Sequence, residues 1–150
     1  MIIYIDMDDV LCDYSSAFKE AVFKTPSIAF PQSQYGFYAN LLPIKDAIES
    51  VKRLIESSKF DPYILTAPST LNPLSYTEKR VWIEKYFSIE FTEKLIISPN
   101  KGLLKGDILI DDRTCGRGQE NFEGKLIQFG SADFANWQSV MHYLNNKLSS

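Results

Sequence analysis

Short apolar runs rich in β-branched residues alternate along the chain with longer segments of helical periodicity. The runs predict five strands, over residues 2–6, 63–66, 95–98, 107–112 and 125–129. They lack a clean alternation of apolar and polar positions, which is typical of strands buried on both faces. Strands separated by helices indicate an α/β fold in which the sheet is mostly parallel and flanked by helices.

Three segments carry apolar residues at intervals of three and four, and each predicts a helix that packs on the sheet. The first has its apolar face between Ile44 and Ile55 and ends near Ser57. The second opens with a capping box at Ser75-Tyr76-Thr77-Glu78, and the third begins at Asn136. Trp82 and Trp137 are expected in the core.

The stretch between the first strand and the first of these helices is too long for an ordinary loop, at about 30 residues. A helix is expected over residues 14–23, and prolines break up the remainder. Its aromatic residues are Tyr14, Phe18, Phe23, Phe30, Tyr35, Phe37 and Tyr38. We interpret residues 14–43 as a small cap inserted into a single domain spanning residues 1–150, a small satellite core being the alternative.

The composition is that of a globular protein, with 45% hydrophobic and 23% charged residues among 150. A net charge of −3 gives no reason to expect binding to nucleic acid polymers. Two cysteines, Cys12 and Cys115, fit neither a disulfide framework nor a zinc site, so a cytoplasmic location is expected. Neither a signal peptide nor a membrane helix is recognisable in the sequence.

Acidic residues follow two of the predicted strands. Asp6, Asp8 and Asp9 come where strand one ends, and Asp111 and Asp112 close strand four. Open α/β sheets bind ligands at the carboxyl edge, so these acids converge if strands one and four are neighbours. Their mutual repulsion is costly unless a cation binds, and an all-oxygen site suits Mg²⁺.

Donors for an anion follow the second and third predicted strands. Thr66 ends the second strand and Lys101 follows the third, whereas Lys105 precedes the fourth and is expected at the opposite edge. Acids, a hydroxyl and a lysine after successive strands predict a site for phosphate and magnesium. Asp9 and Asp13 are better explained as turn or capping residues than as ligands.

Four groups of residues, in chain order, resemble the motifs of the haloacid dehalogenase superfamily of phosphatases: Asp6-x-Asp8-x-Val10-Leu11, Thr66, Lys101 and Asp111-Asp112. The sequence is similar, over nearly its whole length, to the 5′(3′)-deoxyribonucleotidases through residues 31–37, Glu78-Lys79, Trp82, Arg113 and Asn136-Trp137. This resemblance implies a Rossmann-like core with a small helical cap after strand one. Asp9 departs from the pattern, because relatives often carry glycine there.

The resemblance also implies a Mg²⁺-dependent reaction on nucleoside monophosphates, in a monomer or a homodimer. Asp6 would attack phosphorus to form an aspartyl-phosphate, and Asp8 would act as general acid and base. The implied metal ligands are Asp6, the backbone carbonyl of Asp8 and Asp111, with Asp112 behind them. Phosphate oxygens would be held by Thr66, Lys101 and a backbone N–H near Ala67, and Phe18, Tyr35 and Phe37 would enclose the base.

Three alternatives remain open at this point. The chain could be a superfamily phosphatase for another small phosphate ester, a receiver-like signalling domain, or a nucleotide-binding protein without activity on the same fold. A receiver has its phosphorylated aspartate at the end of strand three, where this chain has Ser98-Pro99-Asn100. A single histidine, His142, excludes mechanisms based on a Ser-His-Asp or Cys-His arrangement.

Overall fold

A five-stranded sheet forms the centre of the protein in the computed structural model, which describes residues 1–147. The strands are β1 (Ile2–Ile5), β2 (Asp61–Thr66), β3 (Leu95–Ile97), β4 (Ile108–Asp111) and β5 (Lys125–Gln128). They lie in the order β3-β2-β1-β4-β5, and every adjacent pair is parallel. The predicted α/β fold is confirmed, and β1 and β4 are indeed neighbours.

Four α-helices accompany the sheet in the described part of the chain: α1 (Tyr14–Lys24), α2 (Ala47–Glu56), α3 (Ser75–Tyr86) and α4 (Trp137–Lys147). Short 3₁₀ turns lie between them, including Pro31–Ser33 and Lys101–Leu103. Each predicted helix is present within a few residues of its expected bounds. No helix within residues 1–147 combines the length and the apolar character needed to cross a bilayer.

The predicted capping box of α3 is wrong. Leu74 occupies the cap position, and no side-chain hydrogen bond caps the helix there. The hydroxyl of Ser75 instead accepts from the backbone N–H of Ser69 at 3.1 Å, and Glu78 binds the backbone of another segment. Both side chains are buried, and they bind the backbone of other segments instead of capping the helix.

Residues of alternate parity along β1 face the two sides of the sheet. Ile3 and Ile5 belong to the larger core cluster, and Tyr4 belongs to the smaller one on the other side. Both tryptophans lie in the larger cluster, as predicted, and each has a second role. Trp82 Nε1 donates to the Leu41 carbonyl and Trp137 Nε1 to the Val10 carbonyl, each at 2.8 Å, so both helices fix the segments that follow β1.

The insertion leaves and rejoins the core at one place. The N–H of Asp13 donates to the Leu42 carbonyl at 2.9 Å, and the N–H of Ile44 donates to the Leu11 carbonyl at 2.8 Å. Between these points α1 contributes no buried residue. The insertion therefore sits on the carboxyl end of β1 as a lightly packed layer, at the edge where ligands of parallel sheets bind.

Candidate active site

Strand ends bring the predicted polar residues to one cleft with a volume of about 220 Å³. Asp6 follows β1, Lys101 follows β3, and Asp111 ends β4, as the parallel topology requires. The cleft is lined by five acidic side chains, from Asp6, Asp8, Asp9, Asp111 and Asp112, and by three basic ones, from Lys101, Arg113 and Arg117. The excess of carboxylates favours a bound cation.

Lys101 is buried between two of these acids. Its ammonium lies 2.7 Å from Oδ1 of Asp6 and 2.5 Å from Oδ2 of Asp111. Burial lowers the pKa of Lys101, but the charges of Asp6 and Asp111 outweigh it, so its pKa is raised and the residue stays protonated. Lys105, assigned to the opposite edge, is exposed and does not line the cleft.

Three carboxylates converge on one point. Asp6, Asp111 and Asp112 each offer an oxygen, and these oxygens lie within 4.8 Å of one another. Burial, together with the charges of Asp111 and Asp8, raises the pKa of Asp6 to about 7 despite Lys101. Burial, followed by the charges of Asp111 and Asp9, raises the pKa of Asp112 to about 6. Carboxylates that repel one another in a partly dry site fit a hard divalent cation.

Asp112, expected behind the metal ligands, offers a carboxylate oxygen to the same group as Asp6 and Asp111. The carboxylate of Asp8 is not in this group, because it turns toward a lysine of α3. Its backbone carbonyl stays a predicted ligand.

Lys79 of α3 belongs to the site, although the family resemblance that Glu78-Lys79 helps to carry implied no role for it. Its side chain is fully buried, and its ammonium lies 2.8 Å from Oδ2 of Asp8 and 2.7 Å from the hydroxyl oxygen of Thr66. Lys79 does not line the cleft. Its contact with the cleft is therefore through Asp8, whose carboxylate it binds.

Thr66 lies beneath the cleft and not on its wall. Its side chain is fully buried, and its hydroxyl accepts from Lys79. The contact of this hydroxyl with phosphate stays a prediction, and the partner that the structure shows for the hydroxyl is the lysine. Ala67, the other predicted residue of this motif, does line the cleft, together with residues 68–71.

Gln119 is a second buried residue that sequence reasoning missed. Its side-chain amide donates to both oxygens of Asp111 at 3.3 and 3.2 Å, and its own carbonyl oxygen accepts from the N–H of Arg117. Asp111 also accepts from the N–H of Arg113 at 2.9 Å. The carboxylate at the end of β4 is therefore fixed from several directions.

The aromatic residues that reach the cleft are not those expected. Tyr14 and Tyr38 line it, whereas Phe18, Tyr35 and Phe37 do not. Phe18 stacks behind Tyr14 with ring centroids 6.0 Å apart, because it lies one turn further along α1. Phe37 packs edge-on against Tyr14 at 5.5 Å, and Tyr35 is 72% exposed on the outer side. The last two line a separate cavity of about 370 Å³ within the insertion.

The structure accommodates Asp9 at the position where relatives often carry glycine. Its backbone is left-handed, with φ of 60°, a conformation that aspartate tolerates better than most residues. Its carboxylate accepts from the N–H of Ser15 at 2.8 Å and from the Ser15 hydroxyl at 2.6 Å. Asp13 accepts from the N–H of Ser16 as the cap of α1. Both acids are turn and capping residues, as predicted, and Asp9 also lines the cleft.

The parallel sheet, the acid pairs after β1 and β4 and the buried lysine after β3 define the class of protein as a phosphatase of the haloacid dehalogenase superfamily. The family model described as "5' nucleotidase, deoxy (Pyrimidine), cytosolic type C protein" matches residues 26–143. The chain belongs to this family. The prediction of an enzyme of the 5′(3′)-deoxyribonucleotidase type, which hydrolyses phosphoric monoesters, is thereby confirmed.

Curated relatives carry the same description. A protein of Vibrio phage KVP40, provisionally named a 5′(3′)-deoxyribonucleotidase, is 36% identical over 97% of this chain and 85% of its own length. The human cytosolic 5′(3′)-deoxyribonucleotidase is 26% identical over 79% of this chain and 73% of its own. The human mitochondrial 5′(3′)-deoxyribonucleotidase is 29% identical over 74% of this chain, which spans only 61% of that enzyme.

Proposed function

We propose that this protein is a Mg²⁺-dependent phosphatase that releases phosphate from deoxyribonucleoside and ribonucleoside monophosphates. The observation that carries the proposal is the convergence of Asp6, Asp111 and Asp112 beside the buried ammonium of Lys101. An attacking carboxylate, a cation site and a fixed positive charge are what transfer of a phosphoryl group requires. The names of the relatives point to nucleotides as the substrates.

Asp6 is the proposed nucleophile. One of its oxygens bonds to phosphorus while the bond from phosphorus to the nucleoside oxygen breaks, which gives an aspartyl-phosphate and a free nucleoside. Water then attacks phosphorus, releases inorganic phosphate and restores Asp6. Lys101, which binds Oδ1 of Asp6 at 2.7 Å, favours the ionised carboxylate that the attack needs.

Asp8 is the proposed general acid and base. It gives a proton to the departing nucleoside oxygen in the first step and takes a proton from water in the second. Lys79 binds Oδ2 of Asp8, and the thiol of Cys12 lies 3.7 Å from Oδ1. These two contacts orient the carboxylate toward the cleft, and the charge of Lys79 balances it between the two steps, after Asp8 has given up its proton.

Asp6, Asp111 and Asp112 would hold the metal, together with the backbone carbonyl of Asp8. When bound, Mg²⁺ supplies positive charge that offsets the repulsion between the Asp6 carboxylate and the phosphate. Gln119 and Lys101 keep Asp111 in its orientation for this role. The negative charge of the cleft supports a divalent cation there.

Phosphate oxygens are held by Lys101 and by the backbone near Ala67, with Arg113 and Arg117 as further cations on the cleft wall. Tyr14 and Tyr38 replace Phe18, Tyr35 and Phe37 as the aromatic residues proposed to contact the base. The cytoplasm is the proposed location, and a monomer or a homodimer is the proposed assembly.

The test is phosphate release from a panel of deoxyribonucleoside and ribonucleoside monophosphates and a generic aryl phosphate. Each is assayed with Mg²⁺, with a chelator, and with the Asp6→Asn variant. Metal-dependent turnover that favours nucleotides supports the proposal. Turnover of the aryl phosphate alone would support the phosphatase activity and contradict the proposed nucleotide substrate. No turnover of any ester would favour a binding role.

A further inference from the structure

Glu78 connects the core to the insertion. Its side chain belongs to the first turn of α3 and is buried. Oε1 accepts from the N–H of Gly36 at 2.6 Å, and Oε2 accepts from the N–H of Tyr38 at 3.0 Å. Burial of a carboxylate is costly unless both oxygens find donors, and here both donors come from the insertion. Glu78 thus binds the backbone of the insertion through both of its carboxylate oxygens.

Asn72, just before α3, makes a similar contact. Its side chain is fully buried, and its amide nitrogen donates to the carbonyls of Gln32 at 3.2 Å and Gln34 at 3.4 Å. Its amide oxygen accepts from the N–H of Leu74 at 3.0 Å, which fixes the side chain to its own segment. Every polar atom of this amide therefore has a partner.

Together the two side chains form a latch, which we define as Asn72 and Glu78 with the four hydrogen bonds that they make to segment 32–38. The helix α1 has no buried residue, and a cavity of about 370 Å³ lies between α1 and this segment. Segment 32–38 is therefore held at two kinds of contact, the packing of Tyr38 in the core and the hydrogen bonds of the latch along its backbone.

The same turn of α3 also binds Asp8, the proposed general acid and base. Lys79 follows Glu78 directly and binds Asp8, and its ammonium lies 5.0 Å from the centre of the Tyr38 ring. Tyr38 lines the cleft. One turn of α3 thus sets the distance between Tyr38, an aromatic residue of the cleft wall, and Asp8, the proposed general acid.

We propose that Glu78 and Asn72 are positioning residues that determine specificity. By fixing Tyr38 relative to Asp8, the latch favours phosphate esters whose leaving group carries a planar base over small esters. This inference rests on the proposed function, because it assumes that the leaving group extends from the phosphate toward Tyr38. Neither latch residue contacts the reacting atoms.

The experiment compares wild type with Glu78→Gln and Asn72→Ala. Glutamine keeps the size of Glu78 but presents an NH₂ group to one of the two N–H donors, so one hydrogen bond is lost and a donor faces a donor. We expect kcat/KM for a deoxyribonucleoside monophosphate to fall by about tenfold or more, mainly through KM, since a bond to a charged group is lost. For the aryl phosphate we expect kcat/KM to stay within about twofold. Glu84→Gln, an exposed acid of the same helix, is the matched control and should change neither value.

Hydrogen exchange measured by NMR on the same variants gives a readout independent of activity. In Glu78→Gln the amides of Gly36 and Tyr38 should exchange faster, while those of Ile5 and Ile110 in the sheet should keep their protection. If one variant loses protection in the sheet, the other carries the test. Unchanged exchange at Gly36 and Tyr38 would overturn the latch.

The kinetic outcomes separate the two proposals. A wild-type enzyme that does not prefer nucleotides to the aryl phosphate would overturn the proposed substrate and the specificity role together. A wild-type preference for nucleotides that survives in both latch variants would overturn the specificity role alone. Equal losses on both substrates would likewise reject it, since they would indicate a general loss of the active structure.

Discussion

Lys79, which does not line the cleft, binds Asp8, which does, with 2.8 Å between the ammonium nitrogen and Oδ2 of the carboxylate. The lysine side chain is fully buried, whereas that of Asp8 is 28% exposed. One partner thus belongs to the interior and the other to the site. The pair transmits the position of α3 to the group that is proposed to move the proton.

Replacement of Lys79 by methionine tests this relationship. Methionine fills most of the space and leaves Asp8 without its cation, so the carboxylate is free to leave the position needed for proton transfer. We expect kcat to fall by about 100-fold, the lower range for loss of a general acid or base. Steady-state kinetics with Mg²⁺ measure it, and circular dichroism confirms that the variant folds.

The control for this variant is Lys85→Met, since Lys85 is an exposed lysine of the same helix. It should retain the activity of the wild type. A Lys79→Met enzyme with unchanged kcat would show that Asp8 needs no support from α3, and the assignment of Lys79 as a positioning residue would be withdrawn.

Asp6→Asn is expected to abolish turnover and to raise stability at high pH when no metal is bound. The folded-state pKa of Asp6 is about 7, raised by burial from 3.8. Between these values the folded state binds more protons than the unfolded state, so its stability falls as pH rises through this window. Asparagine does not ionise, so the stability of the Asp6→Asn variant does not fall for this reason as pH rises.

Thermal unfolding in chelator checks the sign of the effect. Tm of Asp6→Asn should exceed that of wild type at pH 8, and the gap should narrow at pH 5, where Asp6 is protonated in the folded state. Glu56→Gln, at an exposed acid of α2, is the control variant. A gap that widens toward acid pH would contradict the assigned direction, and residual turnover by Asp6→Asn would contradict its role as nucleophile.

The strand ends were predictable because parallel topology alone determines which residues meet. Once β1 and β4 are neighbours, Asp6 and Asp111 must share an edge, and Lys101 must join them because it follows β3. Lys105 was assigned to the other edge by the same rule. The apolar runs indicate the strands and their parallel direction, whereas the adjacency of β1 and β4 was a condition of the prediction that only the structure shows to be met.

Lys79 and Gln119 could not be found in this way. Glu78, Lys79 and Arg80 are consecutive charged residues on a helix, a pattern typical of a solvated face, and only the docking of α3 shows that the first two are buried. Gln119 lies in a loop whose path no periodicity describes. The same holds for the aromatic residues of the insertion, because the rotation of α1 about its axis decides that Tyr14 lines the cleft and Phe18 does not.

Binding of Mg²⁺ should depend on pH. A metal needs ionised ligands, and the pKa values of Asp6 and Asp112 are raised to about 7 and about 6. Protons therefore compete with the metal as pH falls through this range. We expect Mg²⁺ to raise Tm more at pH 8 than at pH 5.5, and its dissociation constant measured by calorimetry to be smaller at pH 8.

Asp112→Asn supplies the matched comparison, because it removes one carboxylate of the three and keeps the shape. It should reduce the increase in Tm caused by Mg²⁺ at pH 8. Equal increases in Tm at both pH values would count against the carboxylate group as the metal site. If Asp112→Asn bound Mg²⁺ as wild type does, Asp112 would not be a metal ligand.

Tyr14 and Tyr35 offer a direct test of which aromatic residues contact the substrate. Tyr14 lines the cleft, and Tyr35 lies in the same insertion but is 72% exposed away from it. Loss of a stacking ring costs about 1 kcal/mol, so Tyr14→Ala should raise KM for a nucleoside monophosphate by about fivefold. Its KM for the aryl phosphate should change less, and Tyr35→Ala should resemble wild type with both substrates. If Tyr35→Ala instead raised KM for nucleotides and Tyr14→Ala did not, the substrate would have to approach from the outer side of the insertion.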